Sequence, residues 1–399
     1  MKTHSVLFYT AVFVLTNLPL DAIQRSPLYI PEDATLNFTG LATKYGMFVQ
    51  EHDVITEDGY ILKLFHVPGD KDKTVLLMHG ILDSADTFII RGRRSLLAAL
   101  ASAGYDVWIG NYRGTTYSRR HKRLNPDTDN SFWDYSFHEI GAYDLPAVID
   151  YILRENGVKQ LSAIGHSQGN MIFYVLGSVR PEYNDKIKLL IALGPVCYLN
   201  LDNFQFPVTT VVETGPAVNL VLQALNQEEV LGETSFLMYL RNTVCTQRLL
   251  GYKLCAEGIF FQLAGEDAAE FEPDVFYTLI GHYPTGTSRK NVLHLIQIAS
   301  DKQFMQFDYG PLKNLKRYNS VSPAVYDLRR VTMKVALLVG RNDKLTPLDN
   351  VDLLRKQLPN VVRYHIMENP KFNHIDHVWG KNMDKYLFPH VMNLLGKYS

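Results

Sequence analysis

The sequence predicts an α/β fold, a mostly parallel sheet with helices on both faces and a largely helical insertion cutting across it. Three observations carry this reading. Short apolar runs alternate with helical patterns over residues 41–198, the alternation lapses over 199–328, and it resumes near Val331 with two further apolar runs. Parallel strands need crossover connections, which helices supply, so this alternation reads as a buried parallel sheet rather than a set of hairpins. The chain divides accordingly: a leader over 1–22, a first core segment over 23–198, a cap or lid insertion over 199–328, and a second core segment over 329–399. At 399 residues there is enough chain for one large domain plus an insertion.

The elements can be taken in order. Residues 74–78 form an apolar strand that ends in His79-Gly80-Ile81. Residues 147–153 are apolar at helical spacing, and 160–164 are a buried strand running into the apolar helix 170–176. Residues 189–193 are a further strand. Within the insertion, 218–225 and 236–240 are strongly apolar; they are either core or the apolar face of a movable lid. Leu237 and Leu240 exemplify the second stretch. After the insertion, 333–339 is a buried strand followed by a glycine-led turn with Asp343, and 361–367 is a strand followed by the loop holding His374.

Between strand 160–164 and helix 170–176 lies Gly165-His166-Ser167-Gln168-Gly169. A strand turning abruptly into a helix crowds the positions two before and two after its apex, so only small residues fit there and the apex side chain is driven into an exposed, strained position. Ser167 occupies that apex. A nucleophilic serine needs a base, an acid to orient the base, and donors for the oxyanion; in this arrangement the chain order is Ser, then Asp or Glu, then His, with one donor after an early strand. Asp343 and His374 follow in that order, each after a strand, and the backbone N–H groups of Ile81 and Gln168 are the oxyanion donors. Ser167 would attack an ester carbonyl, His374 would take and return the proton, and Asp343 would fix the imidazole. Each residue alone has an ordinary reading, a turn serine, a capping aspartate, a core histidine; their joint order at strand ends argues for chemistry. Asp376 and His377 are the rivals inside the last loop, and Asp349 is set aside because it opens the following helix.

Beyond this constellation, Thr56-Glu57-Asp58-Gly59-Tyr60, the stretches 79–84, 104–114 and 143–147, Gly165 to Gly169, and Asn373-His374-Ile375-Asp376 together resemble the animal acid lipases, the family of gastric and lysosomal acid lipases with the α/β-hydrolase fold. The resemblance covers almost everything after the leader. It implies hydrolysis of neutral lipid esters by a Ser-His-Asp acyl-enzyme route and puts the triad on Ser167, Asp343 and His374 with oxyanion donors at Ile81 and Gln168. It also implies a disulfide between Cys245 and Cys255, leaving Cys197, which follows a buried strand, as a core thiol. His377 departs from the family pattern, which has an aromatic residue there; its charge is a potential perturbation of His374.

Composition fits this reading. Hydrophobic residues make up 46% and charged residues 20%, with formal net charge −1, so nothing favours a polyanionic partner and nucleic acid is excluded as the partner class. The basic runs at Arg91-Gly92-Arg93-Arg94 and Arg119-Arg120-His121-Lys122-Arg123 read as solvated faces. Lys2 and His4 precede an apolar stretch over 6–15, too short to cross ~30 Å of hydrocarbon, which reads as an export signal. The mature chain is expected to have no transmembrane span and to be secreted or delivered to a lysosomal or endomembrane lumen. Asn37-Phe38-Thr39 is then an N-glycosylation acceptor. His374 and His377 lie close in sequence without a third ligand, and no cofactor or metal is called for. The expected activity is that of a secreted serine lipase on neutral lipid esters at a lipid–water interface, triacylglycerol first. Steryl esters or small soluble esters are the alternative substrates, and a non-catalytic lipid-binding or storage protein of the same fold is the alternative class.

Overall fold

The computed structural model describes residues 28–200, 202, 208–232 and 236–398; the leader over 1–22 lies outside the described residues. Strands β1 (Gln50–Ile55), β2 (Ile61–Val67), β3 (Asp70–Met78), β4 (Tyr105–Gly110), β5 (Leu161–His166) and β6 (Ile187–Leu193) precede the insertion. Two short strands, β7 (Glu229–Val230) and β8 (Thr287–Ser288), lie within it, and β9 (Val335–Val339) and β10 (Val361–Ile366) follow. The main sheet has eight strands in the order β1-β2-β4-β3-β5-β6-β9-β10. From β4 to β10 every neighbouring pair is parallel, while β2 runs antiparallel to both β1 and β4.

Side-chain alternation separates two cores, one on each face of the sheet. In β3, Val75 and Leu77 join one cluster and Leu76 and Met78 the other. In β6, Leu189, Ile191 and Leu193 join the first and Leu190 and Ala192 the second. Because both faces are buried, these strands read in sequence as continuous apolar runs. The antiparallel β1–β2 hairpin is held by buried charge. The Arg113 guanidinium donates to Asp144 Oδ1 from Nε and Nη2 over 2.8 and 2.6 Å, and to Asp58 over 2.6 and 3.0 Å. Asp58, Arg113 and Asp144 come from three of the sequence blocks quoted above, so that part of the resemblance has a structural cause. An arginine this buried is tolerated because its planar fork finds two carboxylates.

The insertion joins β6 to its sheet neighbour β9, and most of it is built into the molecule. Cys255, Phe261, Phe271, Phe276 and Leu279 belong to the same core cluster as β3, and Phe271 stacks on Trp379 with ring centroids 6.1 Å apart. The Cys245–Cys255 disulfide forms, across a sequence separation of 10, and Cys197 is buried with a free thiol. Helix Val208–Ala224 is different. Val212 packs on Ile296 and Ala299, whereas Val211, Val218, Leu220, Val221 and Leu225 on its remaining faces and end are all more than half exposed. The side chains of Leu237 and Leu240 lie outside the described residues. No helix among the described residues is long and apolar enough to cross a membrane.

Candidate active site

β5 runs into helix Gln168–Val179 through Ser167, whose backbone stands at φ 55°, ψ −123°. A non-glycine residue in this region carries roughly 1–3 kcal/mol of strain. The surroundings impose it. A methyl group at Gly165 would meet Asn170 Oδ1 at 2.5 Å, and one at Gly169 would meet the Met78 carbonyl at 2.3 Å. The Leu193 carbonyl at the end of β6 accepts from Ser167 N over 3.0 Å and from Asn170 Nδ2 over 2.8 Å. Both flanking glycines are therefore steric requirements, as the pattern implied.

The end of β3 brings its turn alongside. A methyl group at Gly80 would lie 3.0 Å from Ser167 Cβ and 3.5 Å from Oγ, so the backbone leading into Ile81 runs next to the serine. Gln168 is the first residue of its helix, where N–H groups lack intrahelical partners and the helix dipole favours negative charge. Backbone donors at such a position suit a developing oxyanion.

At the ends of β9 and β10, Asp343 and His374 meet. His374 Nδ1 bonds Asp343 Oδ2 over 2.8 Å, both side chains almost fully buried. Burial pushes the Asp343 carboxyl up, but His374 and Thr346 outweigh it, so the group lies below its ordinary value. Leu345 N and Thr346 N donate to its Oδ1 over 2.9 and 2.7 Å. An ionised Asp343 is acceptor only, so the proton of this bond sits on His374 Nδ1. Gly194, at φ +53°, leaves the room: a methyl there would fall 3.0 Å from His374 Nδ1 and 3.4 Å from Asp343 Oδ2.

The rivals have other occupations. Asp376 Oδ2 accepts from Asn373 N over 2.8 Å, and burial holds its carboxyl well above the usual range. Asp349 is an exposed residue in the first turn of helix Leu348–Gln357. His377 is fully buried edge-on to Phe372, ring centroids 4.8 Å apart, and burial pushes it down to about 3. Neutral, it brings no charge to bear on His374. His166 donates from Nε2 to the His374 carbonyl over 3.0 Å, and burial, then His374 and His377, keeps it well below its ordinary value.

Sequence reasoning missed the part the insertion plays. The Ala264 carbonyl accepts from His374 N at 3.3 Å and Lys344 N at 3.4 Å, Gly265 O from Asn373 Nδ2 at 2.8 Å, and Glu266 O from Asn342 Nδ2 at 2.8 Å. The last residue of helix Phe261–Ala264 and the two residues after it thus hold both the Asp343 loop and the His374 loop. A second segment holds the turn after β3 and the start of the helix after Ser167. Thr285 donates from N to the Leu82 carbonyl and from Oγ1 to the Asp83 carbonyl, each at 2.8 Å. Buried Asn291 accepts at Oδ1 from Gln168 Nε2 over 2.9 Å and returns a bond to its Oε1 at 3.3 Å. These contacts are non-local, and the only local signal was the Ser288 cap, whose Oγ accepts from Asn291 N at 2.9 Å. Asn291→Ala should therefore lower kcat about 10-fold to 100-fold with KM little changed, since small misplacement of catalytic groups is costly. Steady-state kinetics on a soluble ester would read this, and a change confined to KM would refute it.

The turn after β3 also predicts a pH response. Asp83 is buried, and burial raises its carboxyl to about 7 against the Ser84 amide and Thr87 hydroxyl that lower it. The unfolded chain gives up that proton near 3.8, so between these values the folded state holds the extra proton. Its contribution to stability is complete below 3.8 and falls as pH rises to about 7. Asp83→Asn should flatten that part of the profile, by on the order of 1.4 kcal/mol per pH unit; denaturant titrations at pH 4, 5.5 and 7 check it, and parallel profiles would count against it.

Comparison with known proteins fits this geometry. Residues 73–231 match the alpha/beta hydrolase fold and residues 38–92 the partial alpha/beta-hydrolase lipase region. Among relatives, Lipase 1 of Drosophila melanogaster is 37% identical over 95% of this chain and 83% of its own. Gastric triacylglycerol lipase of Bos taurus is 33% identical over 92% of each, and lysosomal acid lipase/cholesteryl ester hydrolase of Rattus norvegicus 34% over 93% and 94%. A solved thermophilic esterase from Thermogutta terrifontis shares the fold at TM-score 0.50 and 13% identity, covering 88% of this chain and 100% of that one. The molecule is an α/β-hydrolase and a carboxylic ester hydrolase. The chain belongs to the animal acid lipase family.

Proposed function

We propose that this lipase cleaves neutral lipid esters with Ser167 as nucleophile, His374 as general base and Asp343 as its orienting acid, the N–H groups of Ile81 and Gln168 receiving the oxyanion. The reading rests above all on the 2.8 Å bond from His374 Nδ1 to an ionised Asp343, in a fold that sets Ser167 at a strained apex. Attack by Ser167 Oγ on the ester carbonyl would pass its proton to His374 Nε2. Collapse would return that proton to the leaving alcohol, and water would then free the acyl group by the same steps in reverse roles. None of these steps calls on a cofactor.

Triacylglycerol is the leading substrate and steryl ester the second, in keeping with the names of relatives at 33% and 34% identity. Action in an exported or lysosomal setting is supported by the Cys245–Cys255 disulfide, since such bonds persist in oxidising compartments. Asn37 is exposed and needs only Oδ1, which accepts from Gly40 N at 2.8 Å, to cap its helix, so its Nδ2 is open to a glycan.

The lid expected over 199–328 narrows to helix Val208–Ala224 and its neighbourhood, because the 264–291 segments grip both catalytic loops. The exposed apolar face of that helix is the part suited to lipid, each Å² transferred contributing ~25 cal/mol. Replacing Leu220, Val221 and Leu225 by Ser should lower activity on emulsified triolein about tenfold or more while sparing a dissolved short-chain ester. Equal loss on both would remove the interfacial role. The same assay run with cholesteryl oleate decides between the two substrate classes.

A further inference from the structure

At the far end of β10 from its first residues, three side chains converge that the hydrolytic site does not use. His365 projects from β10, Glu368 follows the strand by two residues, and His390 comes from the first turn of helix Phe388–Tyr398. Glu368 Oε1 lies 3.2 Å from His365 Nε2 and 3.3 Å from His390 Nε2, and the three donor atoms all fall within 4.8 Å of one another. The imidazoles are largely sheltered, with side-chain exposures of 12% and 27%, while Glu368 is 56% exposed.

We propose that His365, Glu368 and His390 bind a divalent transition-metal ion, Zn²⁺ being the ion this donor set suits best. Two imidazole nitrogens and a carboxylate oxygen are a usual ligand set for Zn²⁺, with bonds of ~2.0–2.2 Å. Ligand atoms around such an ion are separated by about 2.9–3.4 Å, depending on whether four or six positions are filled. The two nitrogen-to-oxygen separations fall inside that interval. The orientation of His365 adds a second observation. Its Nε2 is buried and makes no aligned hydrogen bond among the described residues, although Glu368 Oε1 is only 3.2 Å away.

Two adjustments accompany loading. The imidazole centroids stand 3.9 Å apart at 40°, and ring planes meeting at one ion require about 5 Å, so the rings must splay. Arg363 Nη2 donates to His365 Nδ1 over 3.3 Å, whereas a metal-bound imidazole carries a proton there and seeks an acceptor. Arg363 is exposed and can swing aside, with water completing the coordination. The ion would join the C-terminal helix to the strand that leads into the His374 loop, a stabilising tie and not a reactant.

Titration of the mature full-length protein with ZnCl₂, followed by calorimetry and by the visible absorption of CoCl₂ as a probe, tests this. One equivalent should bind saturably, and at a hundredfold excess over Kd the melting temperature should rise by about 3 °C. His365→Ala and His390→Ala should each weaken binding at least tenfold, and Glu368→Gln, a change at an exposed side chain that leaves the fold intact, should abolish the cobalt absorption. Arg363→Ala should tighten binding. Absence of saturable binding, or binding left unchanged by Glu368→Gln and His390→Ala together, would overturn the assignment. Ester hydrolysis measured alongside is a separate readout, since none of these four residues belongs to the proposed triad or oxyanion hole.

Discussion

Ser167→Ala is expected to reduce ester hydrolysis by about 10⁵-fold or more, the scale on which removing a nucleophile acts in a serine triad. The variant should fold. The side chain lost is one oxygen at the apex of a turn, and alanine inherits the same φ of 55° without a change of packing. Melting temperature and near-UV circular dichroism should therefore match the parent while turnover disappears. A serine-directed phosphonate should label the parent at Ser167 and fail on the variant. Activity within tenfold of the parent, or labelling elsewhere, would remove Ser167 from the mechanism.

Asp343→Asn is expected to cost about 10⁴-fold in kcat, as loss of the orienting carboxylate does in other triads. The cause can be traced atom by atom. Leu345 N and Thr346 N both donate to Oδ1, so an asparagine must keep its carbonyl oxygen there and turn its amide towards His374. The imidazole then accepts at Nδ1 and carries its proton on Nε2, where it cannot serve as base. Asp376→Asn is the control. Burial keeps the Asp376 carboxyl protonated well above its ordinary range, and an amide is close to isosteric with a neutral acid, so kcat should fall less than tenfold. If Asp376→Asn proved the more damaging of the two, the assignment of the acid would be reversed.

What could be read from the sequence was local. Strands β5, β6 and β9 and the second half of β3 are buried on both faces, so each reads as an apolar run; Ser167 and Asp343 each follow one of them, and His374 follows the half-buried edge strand β10. The glycines at 165 and 169 were legible because a turn this sharp admits few residues. The rest was long-range. Asn291 acts on Gln168 across 123 positions, and nothing near either residue announces the contact. Gly194 was visible only as a glycine after a strand, its purpose being room for two side chains that arrive much later in the chain. The insertion read as a cap because helical patterns prevailed there; that its segment at Ala264, Gly265 and Glu266 clasps the Asp343 and His374 loops through backbone carbonyls could not be seen, since any residue supplies a carbonyl. His377 is the instructive case. Its residue type promised a charge, and burial withholds it.

The grip of Ala264, Gly265 and Glu266 on the Asp343 and His374 loops has a consequence in time. During synthesis the strand leading to Ser167 is made early, yet His166 and His374 stand 208 positions apart, and the His374 loop is held in part by backbone from the insertion. On the proposed mechanism, a chain emerging from the ribosome carries Ser167 long before His374, its general base, is made. Hydrolytic competence would, on that mechanism, wait for the residues around His374, which makes the order of assembly itself a safeguard.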